Sequence, residues 1–173
     1  MQRCFFSLSF DAAQQQQLAA CQPVDQYPEA LWHPPANLHL TLVFLGQQSE
    51  ETQQQLWQNA LPLLNDTPAF ELCFDHLAQF HQAKVLFLGL QTEVPALMTL
   101  QQQLSALCQP VLTGPQPEQF LPHVTLARKI RPEFSFRQPA GPVRLRCTEV
   151  GFYHSVSTVS GVRYLCKERQ TLV

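Results

Sequence analysis

The chain is short of charge. Asp, Glu, Lys and Arg make up 14% of its 173 residues, against about 25% in an ordinary globular domain. The shortage is uneven: residues 1–127 hold two basic and ten acidic side chains, a net −8. A uniformly basic duplex-binding surface is therefore excluded. Glycine is sparse too, with six residues spread singly, so no glycine-rich loop is present to cradle phosphates. Neither G-x-S-x-G nor H-E-x-x-H occurs. These absences remove the common nucleotide-hydrolase, serine-hydrolase and metalloprotease readings. The six cysteines include no C-x-x-C pair, which argues against a zinc site or a short disulfide framework. Reduced thiols and a cytoplasmic location follow as the expectation. No apolar run approaches the ~20 residues of a membrane span. Met1–Phe10 is too short, and too soon followed by Asp11, to read as a secretory leader.

What is present is a core and a great deal of glutamine. Hydrophobic residues reach 45%, enough for one sizeable domain over residues 1–173, built from two halves. The runs Gln14–Gln17, Gln53–Gln55 and Gln101–Gln103 sit between periodic apolar residues and read as solvated helix faces. Residues 128–173 reverse the charge, with nine basic and three acidic side chains, a net +6. That balance suits a phosphate-bearing partner. It equally suits strands with Arg on their wet face.

The pattern predicts a strand over Arg3–Phe10, then a helix capped by Asp11 over Ala12–Cys21. A proline-rich loop follows, in which His33 reads as a surface residue. After a strand ending at Gly46, Ser49 caps a helix over 50–64, with Glu50 and Glu51 in its first turn. Strands are expected at Phe70–Asp75 and Val85–Leu90, with His76 and His81 between them as structural or surface residues. A helix capped by Thr92 is expected over 93–108, then strands near 122–130, 143–154 and 162–168. The order implies an α+β architecture, with helices packed on antiparallel or mixed sheets.

Two stretches repeat one device: His39-Leu40-Thr41-Leu42 and His123-Val124-Thr125-Leu126, 84 residues apart. In a strand, side chains alternate, so each His and its Thr share one face while the apolar pair faces a core. A single His-x-Thr in a strand is ordinarily a polar pair satisfied by its neighbours. Two in matching contexts suggest two similar lobes, each lending one strand to a shared cleft.

The longer strings Asn37-Leu38-His39-Leu40-Thr41-Leu42-Val43-Phe44-Leu45-Gly46 and Pro122-His123-Val124-Thr125-Leu126-Ala127-Arg128 resemble the two-histidine phosphoesterase superfamily. Within it they are similar to the bacterial RNA 2′,3′-cyclic phosphodiesterases, first described as 2′-5′ RNA ligases. The similarity runs from Arg3-Cys4-Phe5-Phe6 to Arg163-Tyr164. It implies two pseudo-symmetric lobes with helices outside and the active site between them. It also implies a metal- and cofactor-independent hydrolysis of RNA 2′,3′-cyclic phosphate ends to 2′-phosphate ends, with 2′-5′ ligation as the reverse. Two imidazoles of pKa near 6.5 can supply acid and base at neutrality. The resemblance makes His39 the proton donor and His123 the activator of water. Thr41 and Thr125 would donate hydrogen bonds to the non-bridging oxygens.

Arg128 matches the family's phosphate-binding residue, and its forked guanidinium fits that task. In an ideal strand, however, Arg128 faces away from His123, so a bend after Leu126 is required. Phe5, Phe44 and Tyr153 could stack on a base, although core packing is the expectation for Phe5 and Phe44. His154 precedes Ser155 directly, lacks the motif and is set aside. The expected partner is an RNA end, the expected state a monomer, and no membrane or obligate protein partner is implied. Rival readings are a phosphodiesterase for a small cyclic-phosphate nucleotide or a 2′-5′ oligonucleotide, a non-catalytic RNA-binding module, and a zinc site that lacks a visible third ligand.

Overall fold

The computed structural model describes residues 1–112, 119–131, 141–159 and 161–173. Ten strands and three α-helices follow in the order β1 (Gln2–Leu8), α1 (Ala12–Ala19), β2 (Leu31–Trp32), β3 (Leu40–Gln48), α2 (Glu50–Asn65), β4 (Phe70–Phe74), β5 (His76–Phe80), β6 (Val85–Gly89), α3 (Pro95–Cys108), β7 (His123–Arg128), β8 (Val143–Cys147), β9 (Glu149–Thr158) and β10 (Gly161–Thr171) among the described residues. One four-stranded sheet has the order β10-β9-β1-β3, a second β2-β7-β6-β5, and β4 pairs with β8. Every pairing described is antiparallel. The α+β expectation therefore holds, and β3 and β7 meet where the two large sheets adjoin.

Local chemistry explains the helix starts. Asp11 accepts a hydrogen bond from the Gln14 amide (2.8 Å), and the Gln14 side chain accepts one from the Asp11 amide (3.1 Å). This reciprocal box satisfies two N-terminal donors. Ser49 Oγ accepts from the Thr52 amide at 3.2 Å, and Glu50 and Glu51 sit in the favourable first turn of α2. The third helix departs from expectation. Val94, not Thr92, stands at its N-cap, and Pro95 occupies the first turn, where its missing N–H costs nothing.

Leu18, Leu38, Leu56, Leu64, Leu97, Leu100 and Leu104 join strand residues of both large sheets in one continuous buried cluster. The expected strand over 143–154 is divided at Thr148 into β8 and β9, which belong to different sheets. Strand β5 covers part of the stretch read as a connection, and β2 part of the proline-rich loop. All six cysteines are free, and burial pushes the Cys4, Cys108 and Cys147 thiols up to about 12. No helix among the described residues is long and apolar enough to cross a membrane.

Not every glutamine is a solvated filler. Gln53 is buried and donates to the Gln48 carbonyl at 3.0 Å. Gln48 in turn donates to Leu45 O at 2.7 Å and Val111 O at 3.0 Å. Most other members of the runs lie on exposed or half-buried helix positions, as their spacing predicts.

Candidate active site

Both histidines of the repeated motif begin or directly precede a strand, and both are held in the same way. The His39 Nδ1–H donates to the Asn37 carbonyl at 2.6 Å, and the His123 Nδ1–H donates to the Leu121 carbonyl at 2.8 Å. A carbonyl can only accept, so the proton of each neutral ring sits on Nδ1 and Nε2 carries the lone pair. In the first motif Thr41 Oγ1 lies 3.1 Å from His39 Nε2. In the second, Thr125 shares the strand face of His123 and stands opposite Phe87 of β6.

Aromatic walls fix the two rings. His39 packs against Phe5 (centroids 5.0 Å apart) and the edge of Tyr164 (4.6 Å). His123 packs against Phe80 (5.1 Å) and Phe87 (5.4 Å). Phe5 is buried as expected, 3% exposed, but against His39 and Tyr153, on the latter of which it stacks at 5.5 Å. The Tyr153 hydroxyl is engaged with Ser9 Oγ at 2.7 Å.

A one-residue bulge follows each Thr. On β3, Ser7 faces Thr41 while Phe6 faces Val43, so Leu42 is the extra residue. On β7, Phe87 faces Thr125 while Leu86 faces Ala127, so Leu126 is the extra residue. Each bulged carbonyl accepts a glutamine amide: Gln101 Nε2 to Leu42 O at 3.4 Å, Gln22 Nε2 to Leu126 O at 3.2 Å. The inserted residue reverses the alternation beyond it. Leu126 and Ala127 are both buried, and Arg128 returns to the face of His123 and Thr125. This is the bend that the phosphate role of Arg128 requires. Its guanidinium bears on His33, His39 and His123 and reaches the Tyr164 hydroxyl.

The same reversal corrects the expectation for Phe44. With extra residues at Leu42 and Leu45, Phe44 pairs with Phe5 across β1 and β3 and shares its face. It is 47% exposed, so it is not a core residue but an open aromatic surface beside the cleft.

His33 is also corrected, from surface residue to cleft residue. Its amide donates to Leu126 O at 2.8 Å, which ties the loop after β2 to the bulge of β7. Its ring lies 6.3 Å from Tyr164, and its Nδ1 is buried without a hydrogen-bond partner. Neither His33 nor Tyr164 carries a local motif, and both reach the site only through long-range pairing. Of the remaining histidines, His76 pairs with Asp75 at 2.9 Å and His81 is exposed in a turn. His154 donates to Gln53 Oε1 at 2.5 Å, on the sheet face away from the cleft.

Burial is the first cause that lowers the His39 pKa, to about 4; the Asn37 hydrogen bond opposes it, and His33, His123 and Arg128 add to it. His123 is also lowered, by burial first and then by Arg128, against the Leu121 hydrogen bond. His33 falls to about 4 through burial and Arg128. His123 acts electrostatically on His39, and Arg128 acts on both rings. Lowered in this way, both rings are neutral at pH 7 beside one permanent cation. Such a cleft favours an anion, whose charge would draw a proton onto one ring. Among the described residues, no three His, Cys, Asp or Glu side chains are placed to hold a metal ion.

Comparison with known proteins gives a consistent result. A family model described as the 2′-5′ RNA ligase superfamily matches residues 10–157. The chain is 30% identical to the RNA 2′,3′-cyclic phosphodiesterase of Escherichia coli (strain K12) over 176 residues, 99% of this chain and 97% of that one. The crystal structure of E. coli LigT complexed with 3′-AMP superposes with a TM-score of 0.86 at 27% identity, covering 99% of this chain and 98% of the other. A crystal structure from Thermus thermophilus, that of TT0787, shares the fold, with a TM-score of 0.85 at 22% identity over 98% and 97% of the two chains.

Proposed function

The chain belongs to the 2′-5′ RNA ligase superfamily, and from that membership we propose that it hydrolyses RNA 2′,3′-cyclic phosphate ends to 2′-phosphate ends. One observation supports the reading: two imidazoles, each with Nδ1 tied to a carbonyl, both lie within the electrostatic reach of Arg128.

In the proposed reaction Arg128 holds the cyclic phosphate, and the hydroxyls of Thr41 and Thr125 donate to its non-bridging oxygens. His123 Nε2 takes a proton from water as the water oxygen bonds to phosphorus. The bond from phosphorus to the ribose 3′ oxygen breaks, and that oxygen takes a proton from His39 Nε2. The product carries a 2′-phosphate and a free 3′ hydroxyl. The phosphate's negative charge offsets the depressed proton affinity of the rings, so the acid is charged when substrate is bound. The protein's own donors can supply the charge stabilisation.

Residues of both motifs come from one chain, which supports a single two-lobed domain working as a monomer on RNA ends, and the free cysteines fit a cytoplasmic location. The decisive assay gives the protein an oligonucleotide ending in 2′,3′-cyclic phosphate, with EDTA present. Accumulation of 2′-phosphate ends is expected. Loss of turnover in EDTA, or 3′-phosphate products, would overturn the proposal.

A further inference from the structure

The first 127 residues contain only two basic side chains, Arg3 and Lys84. Lys84 sits in the turn before β6, beside Arg128 in space, since Val85 pairs with Arg128. Beyond Arg128 the chain continues into Lys129, and the Ile130 amide donates to the Lys84 carbonyl at 3.1 Å. Two lysine stems thus spring from adjoining backbones at the end of the sheet that carries His123. Both are exposed, as is Arg131. The ion pairs found among the described residues, His76–Asp75, Arg144–Glu71 and Arg169–Glu149, involve none of them.

The backbone makes this placement pointed. Lys84 has φ 53° and Lys129 has φ 60°; no other non-glycine residue described has a positive φ. Glycine or asparagine adopts this left-handed conformation at lower cost. The sequence instead keeps two cations there, side by side, next to the residue assigned to the phosphate. In a chain with so few basic residues, this is a concentrated positive edge leading away from the cleft.

We propose that this edge, formed by Lys84 and Lys129, binds the backbone phosphates of the strand whose cyclic end lies between the histidines. The inference rests on the phosphodiesterase reading and narrows it. The substrate would be the end of an oligonucleotide, with at least one internal phosphate engaged, and not a free cyclic nucleotide.

The test uses the double variant Lys84→Asn/Lys129→Asn. Asparagine removes each charge and tolerates left-handed backbone, so the melting temperature should not fall. For wild type and variant, kcat/KM is measured on a nucleoside 2′,3′-cyclic phosphate and on a six-nucleotide RNA with the same end, over a range of salt. Wild type should prefer the RNA, most strongly at low salt. The variant should lose about five- to tenfold on the RNA alone, and its log–log salt slope should flatten by about 1.4, two single-strand phosphate contacts. Equal losses on both substrates, or no wild-type preference for RNA, would overturn the proposal. So would the loss following Arg3→Gln instead, since Arg3 lies on the other large sheet. Anisotropy with a 2′-phosphate-ended RNA reads the same contacts without turnover. If neither substrate is cleaved, the phosphodiesterase reading fails, while this binding measurement still decides the role of the edge.

Discussion

The two motif strands share one plan and differ in their surroundings. In each, Nδ1 binds the carbonyl two residues upstream, a Thr follows two positions later, the next residue bulges, and a glutamine amide meets the bulged carbonyl. Around His39 stand His33, Tyr164 and Phe5; around His123 stand Phe80 and Phe87. The first ring therefore feels three cationic or potentially cationic neighbours, and the second feels Arg128. Repetition fixes which nitrogen carries the lone pair. The neighbours determine how readily each nitrogen holds a proton.

The strongest challenge to this comparison is to remove one ring at a time. His39→Ala and His123→Ala should each lower kcat by about 10²–10⁴, the range for a positioned acid or base, with circular dichroism unchanged. A loss under tenfold in either would mean that the halves are not partners in one reaction.

A pH series on stability should tell the rings apart. An unfolded His titrates near 6.5, whereas folded His39 titrates at about 4. Between these values the unfolded chain binds the extra proton, so stability falls as pH drops from 6.5 toward 4 and is unaffected by this ring above 6.5. Inorganic phosphate should blunt the decline by raising the folded value. Thermal melts of His39→Gln and His123→Gln should both be flatter than wild type over this window, the His39 variant more so. Equal flattening would show that their different neighbours carry no weight.

The smallest effect concerns the glutamines. Gln22→Ala and Gln101→Ala each remove one hydrogen bond to a bulge carbonyl, Leu126 O keeping the His33 amide, and should cost about 1 kcal/mol of stability in urea melts. Gln22 also bonds the His33 carbonyl at 2.8 Å. Its loss should therefore lower kcat/KM several-fold, with Gln101→Ala close to wild type.

Much of this was legible in the residues. The paired His-x-Thr strings singled out two rings that the fold holds alike, and Asp11 and Ser49 announced their helices, because caps and alternation act over a few positions. The bulges were not legible. Nothing local distinguishes Leu126 from Leu40, and only pairing with β6 shows that an extra residue is accommodated. Phe44 and Arg128 depend on that count, one misread as core and the other assigned to phosphate only on condition of a bend. His33 and Tyr164 lie in segments whose neighbours are set by contacts across the fold, to Leu126 and Arg128 respectively. Thr148 divides two strands without a glycine or proline to mark the break.

The extra leucine in β7 makes the proposed grip on phosphate a matter of chain length as well as chemistry. A chain shortened by that single residue would keep every polar side chain and both caps, yet point its guanidinium into the opposite layer. Phosphate capture could thus be silenced by a three-nucleotide deletion that removes only an aliphatic side chain and its peptide unit.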